Sequence, residues 1–418
     1  MSLFVLLASI ARAAREMVIA YRYGVSAEVD AYLFIFNLVN WPVGVWSSVL
    51  TVVLVPLAAR INRDAPADLP RFRSELLGVA LLLGVTLALL AMVGLPWLLR
   101  SSLTGLSVTT LPIAAAMVPV LAFLAPLGIL SALLAAWTLA SGRHLNTLLE
   151  GVPAIVLIIA LIAFVGGGVE PLLWGTLIGF GFHVAALATP FVRRGEIEWP
   201  RSSRRSPQWP AFWQGFSIML AGQMLMSVIV VADQFFAARL GVGAIATLGY
   251  ANRILALALG LGAVAVTRAT LPVLSRAHAS GSTHVRRLAD QWMRILFVFG
   301  GICMVIGWGL APLAIEMLFE RGAFTASDTQ AVTEILRYGL IQLPFYFSAL
   351  VLTSYLTSRG LYIWLFWSGA LGLSTKLLGN ALLIPFFGVA GLALASAATY
   401  ALNFVFFWCV FRFLRETP

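Results

Sequence analysis

Ala20-Tyr21-Arg22-Tyr23-Gly24-Val25 returns as Ala237-Ala238-Arg239-Leu240-Gly241-Val242, 217 positions later (237 minus 20). Each copy closes a long apolar run with a basic residue and a glycine. Further along each copy, Val55-Pro56-Leu57 through Arg60 returns as Leu271-Pro272-Val273 through Arg276, with one residue of slippage. The apolar runs between the copies number six, so both copies enter the membrane in the same direction. That is a parallel repeat, related by an axis along the membrane normal, an architecture that places cargo between its halves and alternates access by rocking.

The composition requires a membrane. Of 418 residues, 61% are hydrophobic and 11% charged, and the mean hydropathy is +0.96. A soluble domain is about half apolar and a quarter charged. A helix needs about 20 apolar residues to cross the hydrocarbon. Breaks at Gly, Pro and charge clusters give about twelve spans: 3–21, 29–59, 74–99, 111–141, 146–166, 171–192, 211–239, 243–275, 288–318, 328–358, 361–386 and 388–411. The expected fold is all-α and polytopic, with an N-terminal six-helix half (1–192), a basic cytoplasmic linker (193–210) and a C-terminal six-helix half (211–418).

Arginine marks alternate loops. Arg60, Arg63, Arg71 and Arg73 follow the second span, Arg143 the fourth, and Arg193, Arg194, Arg201, Arg204 and Arg205 the sixth. Arg276, Arg286 and Arg287 follow the eighth, Arg359 the tenth, and Arg412 and Arg415 the twelfth. The other loops hold Arg22, Arg100, Arg239 and Arg321. The positive-inside rule puts both termini in the cytoplasm. The net charge of +10 follows from these loops and gives no reason to expect nucleic acid. Cys303 and Cys409 lie in apolar runs, and His144, His183, His278 and His284 form no ligand pattern. No cofactor or metal is expected. The first apolar run carries Arg12, Arg15 and Glu16, which argues against a cleavable signal peptide.

Charges inside the spans are the candidate site. An unpaired charge at the bilayer centre costs at least about 2.5–3.5 kcal/mol, so such residues face partners or a wet cavity. Arg15 and Arg253 each fall in the opening helix pair of a half, and a guanidinium fork suits a pyrophosphate. The bland alternative for Arg15 is an ion pair with Glu16 or Asp30. Arg12 is equally open to a cargo role or a neighbouring network. Asp30 opens the second span, where it favours the helix dipole or gates through Arg15. Arg268 and Arg294 lie near inner ends and snorkel. Glu334 and Arg337, three residues apart, can pair with each other and are read as structural or gating. Asp233, Lys376 and Asn380 lie at matching depths, and Lys376 is the only lysine among 27 basic residues.

Three segments resemble the MurJ/MviN lipid II flippases of the MOP exporter superfamily. They are Ala14-Arg15-Glu16 through Gly24 leading to Asp30-Ala31-Tyr32, then Gly249-Tyr250-Ala251-Asn252-Arg253-Ile254 followed by Leu271-Pro272, and Leu318-Phe319-Glu320-Arg321-Gly322-Ala323-Phe324-Thr325 with Asp328 beyond. In the last, Thr325 and Asp328 have capping-box spacing. The resemblance implies the MOP fold, a location in the bacterial cytoplasmic (inner) membrane, and the flipping of an undecaprenyl-pyrophosphate-linked glycan. Partners are then that glycan and membrane lipid, with cell-wall or polysaccharide synthesis enzymes as further candidates. It implies no catalytic residue. It also implies a sodium-site position at Asp233 and the Lys376–Asn380 turn, where the Lys376 ammonium would replace the ion. Three departures stand out: Ser9 where the family often has Arg, Pro42-Val43 where it has a basic pair, and twelve spans where it commonly has fourteen. The rivals are a flippase for exopolysaccharide or O-antigen intermediates and a MATE-type multidrug exporter, whose cations would want acidic cavity residues. A membrane glycosyltransferase would need catalytic carboxylates outside the membrane, and none is evident in the sequence.

Overall fold

The computed structural model describes residues 2–143, 145–164, 166–196, 199–279, 285–359 and 361–413. His144, His284 and Arg415 lie outside them, and the side chains of Arg268, Arg276 and His278 are also outside the described set. The described residues are helical, with no strand among them. The helices are α1 (Ser2–Tyr23), α2 (Ala27–Asp64), α3 (Leu69–Arg100), α4 (Thr110–Leu121), α5 (Leu124–Ala140), α6 (Leu145–Leu149), α7 (Val152–Ala163), α8 (Glu170–Arg193), α9 (Trp209–Ala238), α10 (Ala244–Ala279), α11 (Val285–Phe319), α12 (Ala326–Leu340), α13 (Leu343–Ser358) and α14 (Tyr362–Phe413). Among the described residues eight runs are long and apolar enough to span a membrane, counting α12 and α13 together as one, or nine if α4 and α5 also form one bent span. Two compact units emerge, Met1–Ser227 and Val228–Pro418.

Proline and glycine explain where the helices depart from the expected spans. The 111–141 run bends by 48° between α4 and α5. Pro126 lacks the N–H that would bond Ala122, and its ring crowds that carbonyl. Pro344 separates α12 from α13 in the same way. The 146–166 run breaks at Glu150-Gly151 into α6 and α7. The twelve residues of α7 are about 18 Å long, short of the ~30 Å hydrocarbon core. Conversely, α14 runs 52 residues but is non-helical at Gly388, with φ 53° and ψ −132°. That glycine turns the chain back on itself. A Cβ on Gly391 would lie 2.8 Å from the Leu383 backbone, and one on Gly379 3.0 Å from Ala395. These contacts pair 362–387 with 389–413 as an antiparallel hairpin.

The two sequence copies mark the same local structure. Gly24 follows α1 with φ 57°, and Gly241 follows α9 with φ 109°. Both positions are positive-φ, which glycine adopts without a Cβ penalty. Gly24 N–H bonds Ala20 O at 2.8 Å, closing the helix. Ser26 then opens α2, its Oγ accepting from the N–H of Val29. Arg22 reaches the end of α7, donating to Leu161 O at 2.6 Å and Phe164 O at 2.7 Å. The guanidinium thereby satisfies carbonyls that a helix C-terminus leaves open.

The first unit is built on α2, α3, α5 and α8, with Leu50, Leu54, Phe72, Leu76 and Ile129 fully buried. The linker and the start of α9 belong to this packing. Phe212 is fully buried and meets Phe72 edge-on at 6.1 Å. Glu75, also fully buried, accepts from Trp209 Nε1 at 2.7 Å, Ser203 Oγ at 2.9 Å, the Ser206 N–H at 3.0 Å and the Arg205 N–H at 3.2 Å. Arg71 Nε adds a contact at 3.3 Å. One carboxylate thus pins the linker to α3. Gly78 permits the approach, since a Cβ there would sit 2.2 Å from Arg201 O. In the second unit α10, α11, α12 and α13 pack with the α14 hairpin. Thr325 opens α12 with the expected capping box: Asp328 Oδ2 accepts from Thr325 N–H at 2.8 Å, and Thr325 Oγ1 from Asp328 N–H at 3.4 Å.

Candidate functional site

In the first unit, the candidate cations are tied to local acids. Arg15 on α1 donates through Nε to Glu16 Oε1 at 3.2 Å, and a terminal nitrogen contacts the same oxygen. Both side chains are largely buried, at 17% and 9% exposure. The ion pair with Glu16 is therefore the one the geometry selects from the two partners the sequence offered. Arg12, one turn earlier, donates to Glu150 Oε2 at 3.1 Å and to Ser9 Oγ at 3.1 Å. Both members of the Arg12–Glu150 pair are about half exposed. Asp30 is buried in the first turn of α2. Arginine, serine and the acid at the α6–α7 break thus form one chain of contacts along α1.

In the second unit, Arg253 lies on α10 with its side chain exposed. Arg294 pairs with Asp290 at 2.7 Å, one turn away on α11. Glu334 and Arg337 do not pair with each other. Arg337 Nε donates instead to Trp308 O at 3.1 Å, and its guanidinium lies 5.9 Å from the Trp308 ring. The reason is in α11: Pro312 has no N–H to offer the carbonyl four residues earlier, which is that of Trp308. Arg337 takes the vacant acceptor.

The structure brings Asp233, Lys376 and Asn380 together. Lys376 is 1% exposed. Its Nζ lies 3.0 Å from Asp233 Oδ2, 2.7 Å from Leu392 O and 2.6 Å from Ser396 Oγ. An ammonium has three donors, and here all three are used. Asn380 Nδ2 donates to Asp233 Oδ1 at 2.8 Å, while its own Oδ1 is buried without a partner. The turn at Gly388 is what makes this possible, because it folds Leu392 and Ser396 back beside Lys376. Removing the ammonium in thought leaves a carboxylate, a carbonyl and a hydroxyl around one point. Hard cations favour oxygen sets of that kind. Among the described residues, no group of three or more His, Cys, Asp or Glu side chains could hold a metal.

Residues 19–413 match the family model "Lipid II flippase MurJ". The chain belongs to the lipid II flippase MurJ family. A probable lipid II flippase MurJ of Buchnera aphidicola is 22% identical over 406 residues, covering 93% of this chain and 78% of that protein. The lipid II flippase MurJ of Burkholderia cenocepacia is 24% identical over 367 residues, covering 81% and 68%. A solved MurJ structure in an inward closed conformation superposes with a TM-score of 0.85 at 20% identity, covering 98% of this chain and 87% of that one. An inward-facing MATE transporter of the MOP superfamily superposes at 0.76 with 16% identity, covering 97% and 94%. The fold is therefore that of the MOP transporters, and the family is one of multi-pass membrane flippases, not enzymes.

Sequence reasoning missed Leu392, Ser396, Glu75 and Glu150 as partners. Ser396 had a faint signal, lying as far beyond the Gly388 turn as Lys376 lies before it, within four residues. A carbonyl such as that of Leu392 carries no side-chain signal at all.

Proposed function

We propose that the chain moves lipid II, an undecaprenyl-pyrophosphate-linked glycan, from the inner to the outer leaflet of a bacterial cytoplasmic membrane, with both termini cytoplasmic. The match of residues 19–413 to the lipid II flippase family carries this reading. Arg15 and Arg253 hold the pyrophosphate, each from the opening helices of its half. Arg12 and Asp30 adjust the first of these contacts. Because Arg15 already rests on Glu16, cargo binding exchanges one anionic partner for another. That keeps the guanidinium from ever standing alone in a low-dielectric site. Access alternates as the six-helix halves rock, with Glu334 and Arg337 as gating residues. A membrane potential negative inside drives anions outward by about 2.3 kcal/mol per charge per 100 mV.

Lys376 takes the place of a coupling cation. Its ammonium supplies permanently, from within the chain, the charge that Asp233 would otherwise draw from solution. Transport then needs no sodium. Lys376→Ala would leave Asp233 and two further oxygens, Leu392 O and Ser396 Oγ, open, and should make activity or stability respond to sodium.

A second reading is favoured by one observation. Val43 is buried and lies so close to α5 that a Cβ on Gly128 would be 2.6 Å from it. A basic residue has no room at that position, so a glycan other than that of lipid II, such as an exopolysaccharide or O-antigen intermediate, is the alternative cargo. Complementation separates the two. Bacteria depleted of their own lipid II flippase should survive with this chain and die with Arg253→Ala at equal membrane level. Death with both variants, at confirmed expression, would reject lipid II as the cargo.

A further inference from the structure

A cavity of about 420 Å3 opens between α11 and α12 in the second unit. None of its lining residues belongs to the Asp233–Lys376–Asn380 cluster. Its walls include Trp308, Gln330, Thr333, Glu334, Arg337 and Tyr338. Three features of this wall are unfinished. The terminal nitrogens of Arg337 have no hydrogen bond or ion pair among the described residues, its Nε alone being engaged. Among the described residues Glu334 likewise has no cation within 4 Å, although residues three apart on a helix are neighbours and oppositely charged ones normally meet. The third feature is Thr333. It is 5% exposed, and its hydroxyl is buried without a partner. Thr138, Thr176, Thr247 and Thr399 all bond the carbonyl four residues back. Thr333 does not, and a buried orphan hydroxyl is costly unless something else completes it.

We infer that this cavity binds a zwitterion in which a phosphate ester and a primary amine are joined by a short linker. The phosphate sits on the free edge of the Arg337 guanidinium, where a planar fork suits its oxygens. The ammonium sits on Glu334, and the Thr333 hydroxyl bonds a phosphate oxygen. An anion alone would meet Glu334 unpaired, and a cation alone would meet Arg337. The two charges lie about 5–6 Å apart at Cβ, which a two-carbon linker bridges. Trp308, 37% exposed, and Tyr338, edge-on to it at 6.1 Å, supply the amphipathic rim that suits a headgroup depth. Such a ligand is the headgroup of an ethanolamine phospholipid, or a soluble phosphoethanolamine.

The test is lipid retention by the purified full-length protein, measured by native mass spectrometry with phosphatidylethanolamine and phosphatidylglycerol. The unmodified protein should retain the ethanolamine lipid about tenfold better, the value of one charge-assisted hydrogen bond. Glu334→Gln should erase that preference while leaving the glycerol lipid bound as before. Arg337→Gln should weaken both. Glu334 is exposed, so its variant keeps its fold, and an unchanged unfolding temperature confirms this. Displacement of bound lipid by glycerophosphoethanolamine would assign the soluble headgroup as sufficient ligand; failure to displace would assign the lipid. Equal retention of both lipids by the unmodified protein, or a preference that survives Glu334→Gln, overturns the proposal.

Discussion

Glu75 in the first unit and the Asp233–Lys376 pair in the second are both buried charges, and they are settled in opposite ways. Glu75 faces mostly neutral donors: an indole, a hydroxyl and two backbone N–H groups, with one arginine nearby. Most of those donors belong to the linker segment, which Ser74 also holds by accepting from the Arg201 N–H at 3.1 Å and donating to the Trp199 carbonyl. The carboxylate is complete, and its completeness anchors the chain. Asp233 instead meets a full opposite charge, and Asn380 beside it keeps an unsatisfied oxygen. Dipoles hold a charge in one place. An ion pair with an incomplete neighbour can exchange one partner for another, which is what a transport cycle demands. The first arrangement is structural by this criterion, and the second is the better candidate for a moving part.

Breaking each arrangement should sharpen the contrast. The largest effect is expected from Lys376→Met, which leaves Asp233 buried without its cation and should cost about 3–5 kcal/mol, read as a fall in unfolding temperature. Adding Asp233→Asn should recover much of that loss, because the pair is removed whole. If the double variant is no more stable than the single one, the two residues do not act as a pair.

Glu75→Ala should cost less, about 1–3 kcal/mol in all, because water reaches the linker donors that the lost carboxylate releases. Its signature is local: faster amide exchange over residues 199–209, with the rest of the first unit unchanged. Gly78→Ala should produce the same local release by a different route, since its Cβ would press on the Arg201 carbonyl. Uniform destabilisation in either variant would mean that Glu75 holds the core and not the linker.

The smallest effect concerns Glu196, beside that linker. A hydrogen bond from Arg143, with the charges of Arg143, Arg73 and Arg194, holds its carboxyl below the usual range despite partial burial. A carboxylate with a depressed pKa stabilises the fold above the ordinary value of about 4.3, and the benefit is lost as pH falls through the depressed value. The stability difference between the protein and Glu196→Gln should therefore be constant near neutral pH and shrink in acid. A difference that grows in acid would contradict the ion-pair geometry.

Much of this was legible in the sequence, and the failures have physical causes. Hydropathy located most of the helices, although the described residues give eight or nine membrane-length runs and not the twelve expected, and the Gly24 and Gly241 copies located equivalent turns because both adopt positive φ. Equal depth linked Asp233, Lys376 and Asn380 across 147 residues. Periodicity could not show that the 146–166 run breaks at Glu150, since a glycine and a proline at 151 and 153 are tolerated in many spans. Nor could it show that Arg337 prefers Trp308 O to Glu334. That choice depends on Pro312, which lies on a different helix. Glu75 has no partner nearby in sequence except Arg71, and only the folded linker reveals its donors.

We propose that this chain flips a pyrophosphate-linked glycan with its coupling cation built in. The most direct measurement is lipid II translocation by the purified protein in liposomes under an imposed potential, in sodium chloride and in choline chloride. Translocation should proceed at equal rates in both salts and be abolished by Arg253→Ala. Translocation that requires sodium in the unmodified protein, or none in either salt, would contradict it.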